Sequence, residues 1–123
     1  MAVSLTTTLR NTRADAITTF AGNGAKLRIY TSGDVQLVEC VCGTPFAGSA
    51  SSGVLTLNAI TAGTAGNTGT ATNARIYKSD GTTLVVSGLT VGTSGSNINL
   101  SSTTITSGDS VAISSATITE GNP

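Results

Sequence analysis

Cys40 and Cys42, two positions apart in a stretch that reads as β-strand, are the two thiols of the chain. On a strand, residues i and i+2 share a face with Cα atoms about 6.6–7 Å apart, at or beyond the span of a disulfide. They are expected as reduced, buried small hydrophobes, with an intermolecular disulfide as the alternative. A structural zinc site takes about four ligands, and one chain with no His and no third Cys does not assemble the usual set. Asp34, Asp80 and Asp109 each sit in a Gly/Ser turn. A weak Ca²⁺ site can form in such a place, but EF-hand spacing is missing, and turns favour Asp for its own side-chain to backbone hydrogen bond. Asp15, Glu39 and Glu120 complete the acids, and no spacing pairs two carboxylates for acid/base work. Ser and Thr are plentiful but lack an activating base. Lys26 and Lys78, the two lysines, adjoin polar strand faces rather than an apolar pocket that would lower a pKa. The loops Gly63-Thr64-Ala65-Gly66 and Gly92-Thr93-Ser94-Gly95 lack the Gly-Lys-Ser/Thr ending of a P-loop. No catalytic residue, metal or cofactor is expected, and the chain does not read as an enzyme.

What remains is a surface. Lys26, Arg28 and Tyr30, with Arg75, Tyr77 and Lys78, place two similar basic-aromatic edges on the outer faces of two strands. Tyr and Arg are frequent interface anchors, so the six residues are candidate contacts for an acidic partner surface. The alternative is an ordinary solvated strand face. The same residues belong to an internal echo, Arg28-Ile29-Tyr30 with Arg75-Ile76-Tyr77, each followed by a polar turn and a second apolar segment. Duplication and convergence of two similar hairpins both account for it.

Composition sets what the fold can be. Thr (23), Ser (15) and Gly (15) fill the chain, whereas Leu, Ile, Val and Phe total 28 of 123 residues. A core that thin returns about 1.5–3 kcal/mol for each large aliphatic side chain buried, against about 1.5 kcal/mol for each residue ordered. Further burial through oligomerisation or docking on a partner is therefore expected. The net charge of zero lacks the basic footprint of a nucleic-acid binder and favours association. No apolar run approaches the roughly 20 residues of a membrane span, and the Met1 start without a basic-then-apolar leader argues against a targeting segment.

The elements that must position these residues form one domain, 1–123. Residues 4–21 read as the single helix, with Ser4 as N-cap and Gly22 and Gly24 as the stop. Leu5, Leu9, Ala16 and Phe20 fall on one face at 100° per residue, with Arg13 among them, and that face is expected to lie on the core. From 25 to 119 the period is two. The segments 25–30, 35–42, 53–60, 70–77, 82–87, 97–100, 103–106 and 110–119 read as strands, with a loop over 61–69. Within 35–42 the apolar set switches sides, which a bulge near Leu37 reconciles. Asp80-Gly81 suits a tight turn at positive φ. The expected fold is mainly β: an antiparallel β-sandwich or small barrel of about seven to nine strands with one N-terminal α-helix.

Several stretches together carry a resemblance: Ala25-Lys26-Leu27-Arg28-Ile29-Tyr30 after a short helix, Gly53-Val54-Leu55-Thr56-Leu57-Asn58-Ala59-Ile60-Thr61, Gly69-Thr70-Ala71-Thr72, and Thr117-Ile118-Thr119-Glu120-Gly121. In this order, spanning nearly the whole chain, they resemble a group of small tailed-bacteriophage virion structural proteins. The chain departs from that pattern where 35–43 is shorter and where Asn73-Ala74 replaces a bulkier pair. The resemblance implies a virion location, after assembly in the host cytoplasm. It also implies a capsid decoration (cement) role, with the major capsid protein or other virion proteins as partners and a homo-oligomer, such as a trimer at local threefold positions. Nucleic acid and membrane are not expected partners. The alternatives are a head-tail connector, tail or baseplate protein, and an adhesion or carbohydrate-binding module, the last disfavoured because Trp is absent and Tyr scarce.

Overall fold

The computed structural model of the chain describes residues 6–51 and 53–119. Helix α1 (Thr7–Ala21) is capped by Thr6, whose hydroxyl accepts from the Leu9 N–H at 3.2 Å, and closes where the Gly22 N–H donates to the Thr18 carbonyl. The cap is therefore Thr6 rather than Ser4, because Thr6 holds the extended backbone an N-cap needs. Ser4 and Leu5 lie outside the described residues.

The helix also presents the opposite face from the one its apolar residues imply. Ala14 and Ala21 are buried, with Asn11, Asp15, Ile17 and Thr18 half-buried beside them, whereas Leu9, Ala16 and Phe20 are exposed, as is Arg13. The reason is a demand from the chain it lies on. Backbone N–H groups removed from water require acceptors, and Asn11 and Asp15, one turn apart, accept from Gly53 at 2.8 Å and Ala50 at 2.7 Å. The two small alanines on that face let the helix approach closely. Asn11→Ala and Asp15→Ala are each expected to lower the unfolding free energy by about 1–3 kcal/mol, the cost of orphaning a partly buried N–H. Urea denaturation followed by circular dichroism measures it, and a loss within error at both sites would remove this account of the helix orientation.

The strands are β1 (Lys26–Tyr30), β2 (Gln36–Val41), β3 (Val54–Thr56), β4 (Gly63–Thr64), β5 (Gly69–Thr70), β6 (Asn73–Tyr77), β7 (Leu84–Gly92), β8 (Ile98–Leu100), β9 (Thr104–Ile105), β10 (Ser110–Val111) and β11 (Ile113–Thr119). The mainly β architecture with a leading helix is as expected. It takes the form of a seven-stranded sheet, β2-β1-β6-β7-β8-β11-β3, curled into a half-barrel, with the small pairs β10-β4 and β5-β9 beside it. Bulges drive the curl, because an extra residue bends a strand and sharpens its twist. Ile29 faces Val38 while Tyr30 faces Gln36, leaving Leu37 as the extra residue where the side switch placed it. Further register shifts on β7 lie between Leu89 and Val86 and between Val86 and Leu84, and one on β11 lies between Ile113 and Ser115.

Other boundaries move. The strand expected over 53–60 keeps three residues of ladder, although Leu55 and Leu57 are both buried as their spacing requires. The 61–69 loop contributes β4 and opens β5, and β7 continues five residues past 87. One pair, β7 with β8, is parallel. The chain doubles back over 93–97 and is clasped where Thr90 and Asn97 exchange side-chain to backbone bonds at 3.0 and 3.1 Å.

Both edges of the sheet are covered. Gly66 and Thr61 donate to the Leu37 and Val41 carbonyls of β2, and Asn67 Nδ2 to Gln36. Along β3 the chain over 44–51 lies alongside, through the Ala47–Leu57 and Ser51–Val54 bridges and a bond from Asn58 to the Phe46 carbonyl. Such covering blocks edge-to-edge association. Gly63 makes the first of these covers possible, since a Cβ there would collide with the Glu39 carbonyl oxygen. Inside the curl, Leu27, Ile29, Val38, Leu55, Ile76, Ile98 and Phe46 are almost fully buried.

Candidate interaction surface

Antiparallel pairing of β1 with β6 sets Arg28 opposite Arg75, Lys26 opposite Tyr77 and Tyr30 opposite Asn73. The two echoed triplets therefore lie side by side, so Lys26, Arg28, Tyr30, Arg75 and Tyr77 form one surface rather than two edges, whereas Lys78, one residue past β6, stands apart from them against the Phe20 ring of α1. Two arginines directly opposed across a ladder repel. Each turns to its diagonal neighbour instead: Arg28 stacks on the Tyr77 ring at 4.6 Å and Arg75 on the Tyr30 ring at 4.4 Å. This reciprocal stacking is what the repeated Arg-Ile-Tyr spells, with Arg and Tyr outward and Ile inward in both copies.

Each guanidinium also has its own acid. Arg28 Nε donates to Glu39 Oε2 at 2.7 Å, and Arg75 Nη2 to Asp34 Oδ1 at 2.8 Å. Sequence reasoning left Glu39 unpaired and gave Asp34 only a turn role. Their signal was positional, since Glu39 faces Arg28 across β1 and β2. Asp34 does serve its turn, at φ 64°, where a short polar side chain tolerates the left-handed region. The Glu39 hydrogen bond raises the Arg28 pKa, and burial pushes the Tyr30 phenol up, that residue being 6% exposed beneath its neighbours. Such pairs, close to solvent, act chiefly by holding the arginines still.

Register extends the surface. Val41, Lys26, Tyr77 and Leu84 form a row across four strands, and the two apolar ends are 44% and 46% exposed. Lys26 stands 3.8 Å from Glu39, and Lys78 lies over the exposed Phe20 ring of α1 at 4.6 Å. Compared with protein-family models, with curated proteins and with solved structures, the chain matches none. The far half of the sheet differs in chemistry: Thr56 faces Thr117, and Ser115 faces Asn99, to which it is hydrogen-bonded.

The remaining groups from the sequence are placed apart. Cys40 and Cys42 are both free and buried on the core side, and burial raises the Cys40 thiol and pushes Cys42 up to about 12. Because the thiolate is the reactive form, neither is expected to react with Ellman's reagent at neutral pH until the protein is unfolded in guanidinium, when both should. Rapid labelling of the native protein would contradict their burial. Asp80 accepts from the Thr83 hydroxyl and the Thr83 and Thr82 N–H groups, which holds its carboxyl well below the usual range, and Gly81 closes that turn at φ 74°. Asp109 accepts from the Thr106 N–H.

The two larger recesses lie away from that surface. One of about 160 Å³ is lined by Ser101, Ser102, Thr104, Asp109 and Ser110, and an open groove of about 400 Å³ runs between α1 and Pro45–Ser49 with Asp15 and Thr18 on its wall. Neither sets a hydroxyl or thiol against a basic side chain. Among the described residues no three His, Cys, Asp or Glu side chains gather as a metal would need, and no helix is long and apolar enough to cross a membrane.

Proposed function

We propose that the chain is a bacteriophage virion structural protein that binds the outer capsid shell as a decoration (cement) protein. The observation that carries this reading is the gathering of three of the six cations, Lys26, Arg28 and Arg75, with both tyrosines and two exposed aliphatic side chains on one sheet face. A thin core, covered sheet edges and zero net charge suit a module that gains burial from its neighbours. The family resemblance of the sequence supplies the virion location. By adding interface between adjacent capsid subunits, many bound copies stabilise the shell by mass action.

Counting copies in particles produced from the genome that encodes the chain tests this. Decoration at symmetry-related sites requires on the order of hundreds of copies per particle, whereas about six or twelve would mark a ring at one vertex and overturn the reading. Adding purified protein to shells that lack it should raise their melting temperature.

A further inference from the structure

We propose that Asn23 is a spontaneous modification site, at which the turn between α1 and β1 deamidates to a mixture of aspartate and isoaspartate as the protein ages. Asparagine is among the thermolabile residues, and Asn23-Gly24 is the one Asn-Gly pair in the chain. Glycine in second place leaves the attacking main-chain nitrogen unshielded by any side chain. The fold leaves the pair open too. Asn23 is exposed, and among the described residues neither its side-chain amide nor the Gly24 N–H makes a hydrogen bond. Every other described asparagine is tied by its side chain. Asn11 accepts from Gly53, Asn58 donates to the Pro45 carbonyl, Asn67 to Gln36 and Asn73 to Thr31, while Asn97 is bonded to Thr90 and Asn99 to Ser115.

The chemistry needs only water and hydroxide. Hydroxide takes the Gly24 amide proton, the nitrogen bonds to Asn23 Cγ, and the side-chain nitrogen leaves as ammonia, closing a succinimide ring. Water then adds to either imide carbonyl. Breaking the bond from nitrogen to Cγ gives aspartate on the normal main chain. Breaking the bond from nitrogen to the main-chain carbonyl carbon gives isoaspartate, with one extra carbon in the link from α1 to β1. Either product carries a carboxylate in place of a neutral amide, so a chain of zero net charge becomes net negative by one. Asp80-Gly81 has the same spacing but is held. Thr82 and Thr83 donate to the Asp80 carboxylate, and the Gly81 N–H donates to the Lys78 carbonyl at 2.9 Å. A carboxylate is also a poorer electrophile than an amide, so Asp80 persists while Asn23 converts. The conversion is one-way and needs no enzyme, and its extent records the time since synthesis.

The test is prolonged incubation of the purified full-length protein in mildly alkaline buffer, with acidic species resolved by anion exchange and mapped by peptide mass spectrometry. Isoaspartyl methyltransferase labelling detects the isoaspartate. The peptide that carries Asn23 should gain one mass unit and take up the label, while peptides that carry the hydrogen-bonded asparagines keep their mass. Folded protein should convert about as fast as the same chain unfolded in guanidinium, because no contact in the fold holds the amide. Asn23→Gln, whose longer side chain has to close a larger ring, should lose the acidic species over the same period, and thermal melting confirms its fold. An Asn23 peptide of unchanged mass in the folded protein would overturn the proposal, whether or not the unfolded chain converts. Acidic species that map to another asparagine, or that persist undiminished in Asn23→Gln, would overturn it as well.

Discussion

Phe46→Ala is expected to destabilise the protein by about 3–5 kcal/mol, the range for truncating a buried aromatic side chain. Phe46 is 1% exposed, and Phe20, the other phenylalanine, sits in solvent at 50%, so this one ring carries the aromatic part of the core. Its position multiplies the effect. The Phe46 carbonyl accepts from Asn58, and Ala47 bridges to Leu57, so the ring anchors the chain that covers the β3 edge. Truncation leaves a cavity and loosens that cover together. Against a total of about 5–15 kcal/mol for a domain, the urea midpoint should fall sharply, and the variant should aggregate as the edge opens. A volume-similar Phe46→Leu should lose much less. A loss under about 1 kcal/mol for the alanine variant would mean the site collapses around the gap.

Ile76→Ala is expected to cost about 2–5 kcal/mol. Ile76 is fully buried and faces Leu27 on one side and Val86 on the other, at the centre of the four strands that support the charged face. Leu27 is equally buried, so Leu27→Ala and Ile76→Ala enlarge one shared cavity. The double variant should depart from the sum of the singles by about 0.5–3 kcal/mol. Strict additivity in chemical denaturation would show that the two side chains do not share a packing site.

The inward half of this design was legible from spacing. Leu27, Ile29, Leu55, Leu57 and Ile76 are buried because a period of two leaves a strand no other face to bury. The bulge at Leu37 was legible for the same reason, since apolar residues that change sides within one strand demand an extra residue. The helix face was not. Leu9 and Phe20 are left exposed, and the face drawn inward is the one that carries Ile17 and whose Asn11 and Asp15 satisfy the N–H groups of a distant segment. A periodicity argument counts apolar area and has no knowledge of which backbone donors another part of the chain leaves open.

By itself, the sequence determined that the chain forms a mainly β fold after one helix, that its thiols face inward, and that Arg28, Tyr30, Arg75 and Tyr77 point outward. Each follows from local alternation. Only the tertiary structure decided that the two Arg-Ile-Tyr triplets are neighbours, that Glu39 and Asp34 complete them, and that β8 returns parallel to β7. Strand order and register arise from contacts between residues as far apart as Arg28 and Arg75, which no local spacing encodes. The candidate surface exists because of that pairing: the same residues on non-adjacent strands would be two unrelated charged edges.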